Sequence, residues 1–279
     1  MLELLKTLVY GIVEGITEWL PISSTGHLIL IEEILPLDRS PEFLEMFRVV
    51  IQLGAILAVV ILYWERLFPF QFKEKPYVKK DIFSMWFKVL AACIPTIIIG
   101  LPFDDLFESL FYNYICVAIV LFVFGVLFII VEQMNKERSP KIVNIAQLTY
   151  KTAFLIGVFQ LVAAVFPGTS RSGITILGAI ILGVSRTTAA EFTFFLSVPV
   201  MLGASLLKIV KFGFHFTNAE LSVLLIGMIS AFAVSLLAIR FLMGYIKKHD
   251  FKVFGWYRII LAIVVVVYFM IHGTSFPVS

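Results

Sequence analysis

The chain has 279 residues, of which 60% are hydrophobic and only 15% are charged, and its mean hydropathy is +1.00. A soluble globular protein is nearer half apolar and a quarter charged, so this composition excludes a soluble domain and indicates an integral membrane protein. The net charge of +3 is small and its basic residues are scattered, which argues against a nucleic-acid partner.

Eight hydrophobic stretches follow one another along the chain, and six of them are predicted to be full transmembrane helices. A hydrocarbon core about 30 Å thick needs about 20 helical residues at 1.5 Å each. The other two stretches are interrupted by Pro21 and Pro167, which cannot continue a helical hydrogen-bond ladder. The predicted broken segments are about 4–35 and 150–184, and the predicted spans are about 47–63, 85–101, 114–131, 190–210, 221–245 and 254–271.

Loop charges predict the orientation of these segments. Lys and Arg residues crowd three connections, whereas the connection containing Asp104, Asp105 and Glu108 has none and the tail after His272 has no charge. The positive-inside rule makes the basic connections cytoplasmic and places the acidic connection and the tail outside. The six spans then alternate correctly only if both proline-broken segments are re-entrant hairpins, one entering from each side. The basic residues are Arg66, Lys73, Lys75, Lys79 and Lys80; Lys136, Arg138, Lys141 and Lys151; and Lys247, Lys248 and Lys252.

The two halves of the chain are related in sequence. Aligning GIVEGITEWLPISST with GVFQLVAAVFPGTSR pairs Pro21 with Pro167 and Ser24 with Ser170, at an offset of 146 residues. Each broken segment is followed by three spans, and an odd number of spans turns the second copy upside down. The prediction is therefore an all-α integral membrane protein with an inverted-topology repeat, in which broken helices converge on a binding site.

This architecture predicts a single membrane domain over residues 1–279. Its first repeat covers 1–132, its second, inverted repeat covers 150–272, and a polar linker joins them. Non-helical backbone at membrane depth is tolerated only where it lines a cavity or is enclosed by protein. The two hairpin tips are therefore the expected lining of the site.

The first hairpin carries an unusual density of polar side chains in an apolar segment. Glu14 and Glu18 lie four residues apart, so they project from one face of a helix. Ionisable groups inside a membrane are costly and by default indicate function. Beyond Pro21 the tip contains Ser23, Ser24, Thr25 and His27.

The second hairpin tip, FPGTSRSGITILG, supplies a complementary chemistry. Its hydroxyls, its main-chain N–H groups and the Arg171 guanidinium together are suited to an anion, because Arg binds phosphate oxygens in a bidentate manner. A phosphorylated substrate at the junction of the two tips accounts for both motifs. The hydroxyl residues are Thr169, Ser170, Ser172 and Thr175.

The motifs EGITEWLPISSTGH and PGTSRSG resemble those of the bacterial undecaprenyl-diphosphate phosphatase family of the BacA/UppP type. The similarity extends over nearly the whole chain, through FRVVIQLGAILAVV and GVSRTTAAEFTFFLSVPVMLGA. It implies hydrolysis of a polyprenyl diphosphate lipid, undecaprenyl diphosphate, to the monophosphate carrier used in peptidoglycan synthesis, and a link to bacitracin resistance. It also implies the bacterial plasma membrane and a site that opens to the outer face. The oligomeric state stays open, with a homodimer as one alternative.

The resemblance implies roles for individual residues of both tips. A divalent cation, Mg²⁺ or Ca²⁺, is expected on Glu14 and Glu18, since both ions prefer oxygen ligands and bridge phosphates. The expected catalytic residues are Glu14, Glu18, Ser24, His27 and Arg171, and the expected substrate-binding residues are Ser23, Thr25, Ser170, Arg171 and Thr175.

Two assignments of the nucleophile are open at this point. Ser24 is favoured, with a carboxylate or His27 as its base, whereas the competing assignment makes His27 itself the nucleophile.

Transport is the alternative class of function. An inverted repeat with a polar midplane site could move undecaprenyl phosphate or another anion with no chemistry at all. The combined acidic, serine, histidine and arginine set is richer than anion binding requires, and it favours hydrolysis. A solely structural role leaves the two polar tips unexplained, and the chain lacks a second histidine motif of the acid-phosphatase type.

Overall fold

The computed structural model describes residues 2–71 and 77–273, and these form helices joined by short connections. The predicted basic residues Lys73 and Lys75, and the tail beyond Gly273, lie outside the described residues. The helices are α1 (Leu2–Thr17), α2 (Ser24–Ile34), α3 (Pro41–Val50), α4 (Gln52–Leu62), α5 (Trp64–Leu67), α6 (Lys80–Pro95), a π-helical turn (Thr96–Gly100), α7 (Asp104–Phe111), α8 (Tyr114–Asn135), a 3₁₀ turn (Ile145–Gln147), α9 (Tyr150–Val165), α10 (Arg171–Ile181), α11 (Arg186–Phe212), α12 (Asn218–Tyr245) and α13 (Lys252–His272).

Among the described residues, six helical segments are long and apolar enough to cross a membrane, which confirms the all-α multi-pass prediction. They are Pro41–Leu62, Lys80–Gly100, Tyr114–Asn135, Arg186–Phe212, Asn218–Tyr245 and Lys252–His272.

Most of these helices extend beyond the predicted apolar cores. Polar residues begin several of them, because a Ser, Thr or Asn side chain at the N-cap accepts a hydrogen bond from a free N–H of the first turn. Ser40, Asn113, Ser185 and Thr217 do this for α3, α8, α11 and α12. An apolar window therefore underestimates the length of a span.

The predicted spans also contain irregularities that hydropathy does not show. The first span is interrupted at Ile51, between α3 and α4. The second passes into a π-helical turn after Pro95, where the N–H of Leu101 bonds to the carbonyl of Thr96 at 3.0 Å. The acidic connection after this span is itself a short helix, α7, whose spacing of apolar and acidic residues suits a surface.

The two proline-broken segments fold as matched helix–turn–helix hairpins, α1–α2 and α9–α10. The turns end at Ser23 and Ser170, which have φ of 72° and 66° and accept hydrogen bonds from the N–H groups of Gly26 and Gly173. This geometry pairs Ser23, not Ser24, with Ser170. The sequence pairing at offset 146 is wrong at the tips, because two residues separate Pro167 from its capping serine and only one follows Pro21.

Helices from the two halves of the chain pack against each other. Helix α1 packs on α12, and its counterpart α9 packs on α6, while α8 and α13 pack on each other. The division into repeats 1–132 and 150–272 and the re-entrant path of the two hairpins stay predictions. Helix α10 lies almost wholly inside the protein, so the helix that follows the second tip is buried.

Candidate functional site

The two hairpin tips meet at Glu18, which contacts both of them. An Nη of Arg171 donates to one Glu18 carboxylate oxygen at 2.7 Å, and the Ser24 hydroxyl donates to the other at 3.1 Å. The Ser172 hydroxyl donates to the Glu18 main-chain carbonyl at 2.9 Å. The structure therefore brings together Glu18, Ser24 and Arg171, although Glu18 and Arg171 are 153 residues apart in sequence.

The ion pair between Glu18 and Arg171 is largely removed from solvent, with side chains 8% and 13% exposed. A buried pair is tolerated where further hydrogen bonds satisfy its donors and acceptors. Arg171 accordingly also donates to the Thr193 carbonyl at 3.4 Å, and Glu18 also accepts from Ser24. A phosphate group at this junction could take the place of the carboxylate as the partner of the guanidinium.

Glu14 lies one helical turn before Glu18 and is completely buried, and among the residues that the structure describes neither of its carboxylate oxygens has a hydrogen-bond partner. A buried carboxyl group without a partner is costly, so Glu14 would be stabilised either by protonation or by a bound cation. Among the described residues no group of three or more His, Cys, Asp or Glu could hold a metal ion. Glu14 and Glu18 fit a divalent cation only if phosphate oxygens and water complete the coordination shell.

His27 faces helix α13 and not Ser24. Its Nδ1–H donates to the Ser23 carbonyl at 2.7 Å, and its Nε2 lies 2.7 Å from the Tyr257 hydroxyl, which leaves Nε2 as the acceptor of that bond. The two rings stack with centroids 5.6 Å apart. Both imidazole nitrogens are thus engaged, and the Ser24 hydroxyl bonds to the Glu18 carboxylate instead.

The remaining predicted binding residues hold the shape of the tips. Ser23 and Ser170 are the N-caps of α2 and α10, and the Ser170 hydroxyl also lies 3.2 Å from that of Ser172. The Thr175 hydroxyl donates to the Arg171 carbonyl at 2.8 Å and accepts from Thr193 at 2.9 Å. These three hydroxyl groups therefore support the residues that meet at Glu18.

A cavity of about 260 Å³ opens beside Ser24 and Thr25 on the side of helix α7. Arg48 and Lys208 contribute cations to its wall. Both are ion-paired, Arg48 with Glu32 at 3.1 Å and Lys208 with Glu108 at 2.9 Å. The other polar lining residues are Glu45, Gln52, Asp104, Glu108 and Tyr112.

The sequence analysis identified neither Arg48 nor Gln52 as a site residue, although both line this cavity. Their spacing of four residues within FRVVIQLGAILAVV, which places both on one face of an apolar helix, was the available signal.

A protein-family model described as bacitracin resistance protein BacA matches residues 7–264. The chain belongs to this family. A relative named undecaprenyl-diphosphatase from Desulfitobacterium hafniense is 61% identical over 269 residues, which cover 96% of this chain and 97% of the relative. A second relative of that name, from Acetivibrio thermocellus, is 64% identical over 270 residues, covering 97% and 99% of the two chains. Undecaprenyl-diphosphatase 1 from Clostridium acetobutylicum is 62% identical, covering 97% and 98%.

Proposed function

We infer that this protein is an undecaprenyl-diphosphate phosphatase, which hydrolyses the lipid diphosphate to undecaprenyl phosphate and inorganic phosphate. The observation that carries the inference is the Glu18 carboxylate, which joins the Ser24 hydroxyl to the Arg171 guanidinium across the two hairpins. This arrangement combines a hydroxyl nucleophile, an adjacent base and a phosphate-binding cation. The family membership and the names of the relatives agree with this activity.

In the proposed reaction, Ser24 Oγ attacks the terminal phosphorus while its proton passes to the Glu18 carboxylate. The bond from that phosphorus to the bridging oxygen breaks, and undecaprenyl phosphate leaves with the electron pair. Water then hydrolyses the phosphoserine and restores the Ser24 hydroxyl. Arg171 stabilises the charge on the transferring phosphoryl oxygens throughout.

The geometry favours Ser24 over His27 as the nucleophile. The Ser24 hydroxyl is bonded to a base, whereas His27 Nε2 accepts a hydrogen bond from Tyr257, outside the junction of the two tips. A nucleophilic histidine would first have to give up this bond.

Glu14 and Glu18 are the residues that would hold a divalent cation, Mg²⁺ or Ca²⁺. When bound, such an ion supplies charge neutralisation at the diphosphate oxygens. The partner-free oxygens of Glu14 support this assignment, because a bound cation would compensate for the burial of an ionised carboxylate, as protonation would when no ion is bound.

We further propose that the site opens to the outer face of the bacterial plasma membrane. The cavity beside Ser24 is lined by Asp104 and Glu108, which belong to the connection without Lys or Arg. The positive-inside rule assigns such a connection to the outside. Transport without hydrolysis is the weaker alternative, since moving an anion requires Arg171 but gives no role to a serine hydroxyl bonded to a carboxylate.

The test is phosphate release from farnesyl or undecaprenyl diphosphate by the purified protein in detergent. Wild type should release phosphate with Mg²⁺ or Ca²⁺ and lose this activity after chelation. Ser24→Ala should abolish release, whereas Ser222→Ala, whose hydroxyl donates only within its own helix to the Asn218 carbonyl, should leave it unchanged. No release by wild type with either metal refutes the enzymatic function, and near-full activity of Ser24→Ala removes Ser24 as the nucleophile.

A further inference from the structure

Arg258, in helix α13, is a fully buried arginine that the reaction above does not use. Within the described ranges its hydrogen bonds go to main-chain oxygens, and no carboxylate pairs with it. In the same part of the chain its Nε and Nη1 have no hydrogen-bond partner. Burying a cation without a counter-charge is expensive, so an apolar side chain at this position would be more favourable for stability alone.

The contacts of Arg258 are with the second hairpin tip. One Nη donates to the Gly168 carbonyl at 3.1 Å and to the Thr169 carbonyl. These carbonyls lie in the turn between α9 and α10, where no helical N–H is available to them. Inside a membrane an unpaired main-chain carbonyl is costly, so Arg258 satisfies the turn that immediately precedes Arg171.

Close packing of α13 on α8 puts Arg258 at this turn. A Cβ at Gly255 would lie 2.7 Å from the Gly125 carbonyl, so the two helix backbones approach at a pair of glycines. One turn further along, the guanidinium lies over the rings of Phe128 and Phe124, 5.6 and 6.0 Å from their centroids. Ring faces attract a cation, and they hold the guanidinium against the tip with little freedom.

The neighbouring residue of α13 contacts the first hairpin tip. Tyr257 donates to His27, which in turn donates to the Ser23 carbonyl in the turn that precedes Ser24. One dipeptide of α13 therefore reaches a turn carbonyl in each hairpin, directly in the second and through His27 in the first. The Glu18 contacts with Ser24 and Arg171 form between these two supported turns.

We propose that Arg258 is a positioning residue for hydrolysis: by holding the Gly168 and Thr169 carbonyls from α13, it fixes the second tip so that Arg171 stays aligned with Glu18 and the diphosphate. This deepens the proposed phosphatase function and rests on it. Arg258 touches neither the substrate nor the residues that react, and it acts through the backbone of the tip. A displacement of about 1 Å at a reacting group lowers a rate by about 100-fold, which sets the expected size of the effect.

The experiment compares kcat, KM and hydrogen exchange for wild type, Arg258→Met and Arg258→Lys. Methionine keeps most of the volume and removes every donor, so kcat should fall about 100-fold. Lysine keeps the charge and can donate to both carbonyls, so it should recover at least about a tenth of the wild-type kcat. Exchange of the amides in residues 168–175 should accelerate in Arg258→Met, while that of residues 23–34 should stay within about twofold of wild type. If Arg258→Met does not fold, Arg258→Gln, which keeps a neutral amide NH₂ group but no charge, replaces it.

Two further variants separate positioning from general loosening of the fold. Leu261→Ala removes a buried side chain from the next turn of α13 and should lower the melting temperature while keeping kcat within about threefold. Arg258 is proposed to act through Arg171. Adding Arg258→Met to Arg171→Lys should therefore lower kcat by little more than about twofold relative to Arg171→Lys alone.

Either of two outcomes overturns the proposal. One is a wild-type kcat in Arg258→Met, and the other is a fall in kcat of about 100-fold when Arg258→Met is added to Arg171→Lys. Absence of phosphate release by wild type would refute the proposed function instead, and the exchange measurement would still show whether Arg258 holds the tip.

Discussion

Replacing Glu18 with glutamine is the sharpest perturbation that the structure offers. The change is nearly isosteric, but the amide has one acceptor oxygen for two donors, the Arg171 guanidinium at 2.7 Å and the Ser24 hydroxyl at 3.1 Å. Ser24 loses its carboxylate base and Arg171 loses its charged partner, and whichever way the amide points, one of the two donors faces the amide NH₂ group. Loss of a positioned general base lowers a rate by about 10²- to 10⁴-fold, or about 3–5 kcal/mol in the barrier.

A loss of stability accompanies this change and has to be separated from the loss of rate. Removing one member of a buried ion pair costs about 3–5 kcal/mol when the other charge is left uncompensated. Glu132→Gln is the matched control, because Glu132 is also buried and also pairs with an arginine, Arg186, on a different helix. It should lower the melting temperature to a similar extent but leave kcat within about threefold of wild type.

The assay is steady-state phosphate release from farnesyl diphosphate in detergent, with the melting temperature of each variant recorded in the same micelles. Glu18→Gln should fold at the assay temperature and lose at least about 100-fold in kcat. Retention of kcat within about threefold of wild type would refute the role of Glu18 as the base. Equal losses in Glu18→Gln and Glu132→Gln would show that stability, and not the site, accounts for the effect.

Three further predictions concern other parts of the protein. Glu14→Gln should raise the Mg²⁺ concentration needed for half-maximal phosphate release by about tenfold or more, and an unchanged metal titration would contradict its role as a ligand. Gly168→Ala should lower the melting temperature measured in detergent, because Gly168 has φ of 92° and its Cβ would lie 3.1 Å from the Val117 carbonyl; an unchanged value would contradict this. The hydrogen bond from Lys211 lowers the pKa of Asp105, so this pair stabilises the fold at neutral pH and stops doing so as pH falls through the lowered pKa. Because Asp105 is 76% exposed, Asp105→Asn should cost less than about 1 kcal/mol at pH 7 and almost nothing at low pH, and a pH-independent loss in a thermal shift series would rule this out.

Hydropathy and motif spacing predicted much of the fold. The six spans and the two interrupted segments follow from local sequence, because a lipid environment requires about 20 apolar residues per helix and a proline interrupts the backbone ladder wherever it occurs. The ends of the spans were less predictable, since polar capping residues such as Ser40 and Ser185 lie outside an apolar window. The interruption at Ile51 has no local signal of this kind.

Some features of the candidate site could likewise be predicted from the sequence, and others could not. The sequence by itself determined that two polar tips exist, which acids, hydroxyls and arginine they carry, and that a phosphate chemistry suits them, because intramembrane charge stands out in a chain that is only 15% charged. It could not determine that Ser24 bonds to Glu18 and not to His27, or that Ser23 is the residue that corresponds to Ser170. These facts depend on how the two turns are built and where they meet.

Only the tertiary structure decided which groups act together. Glu18 meets Arg171 because α1 and α10 belong to different hairpins that converge, and Arg258 reaches the second tip because glycines let α13 approach α8. Neither contact leaves a periodic trace in sequence, since hydrogen bonds and ion pairs between distant segments depend on angstrom-scale geometry. The hydropathy of the sequence specifies which segments enter the membrane, and tertiary packing specifies which polar groups meet there.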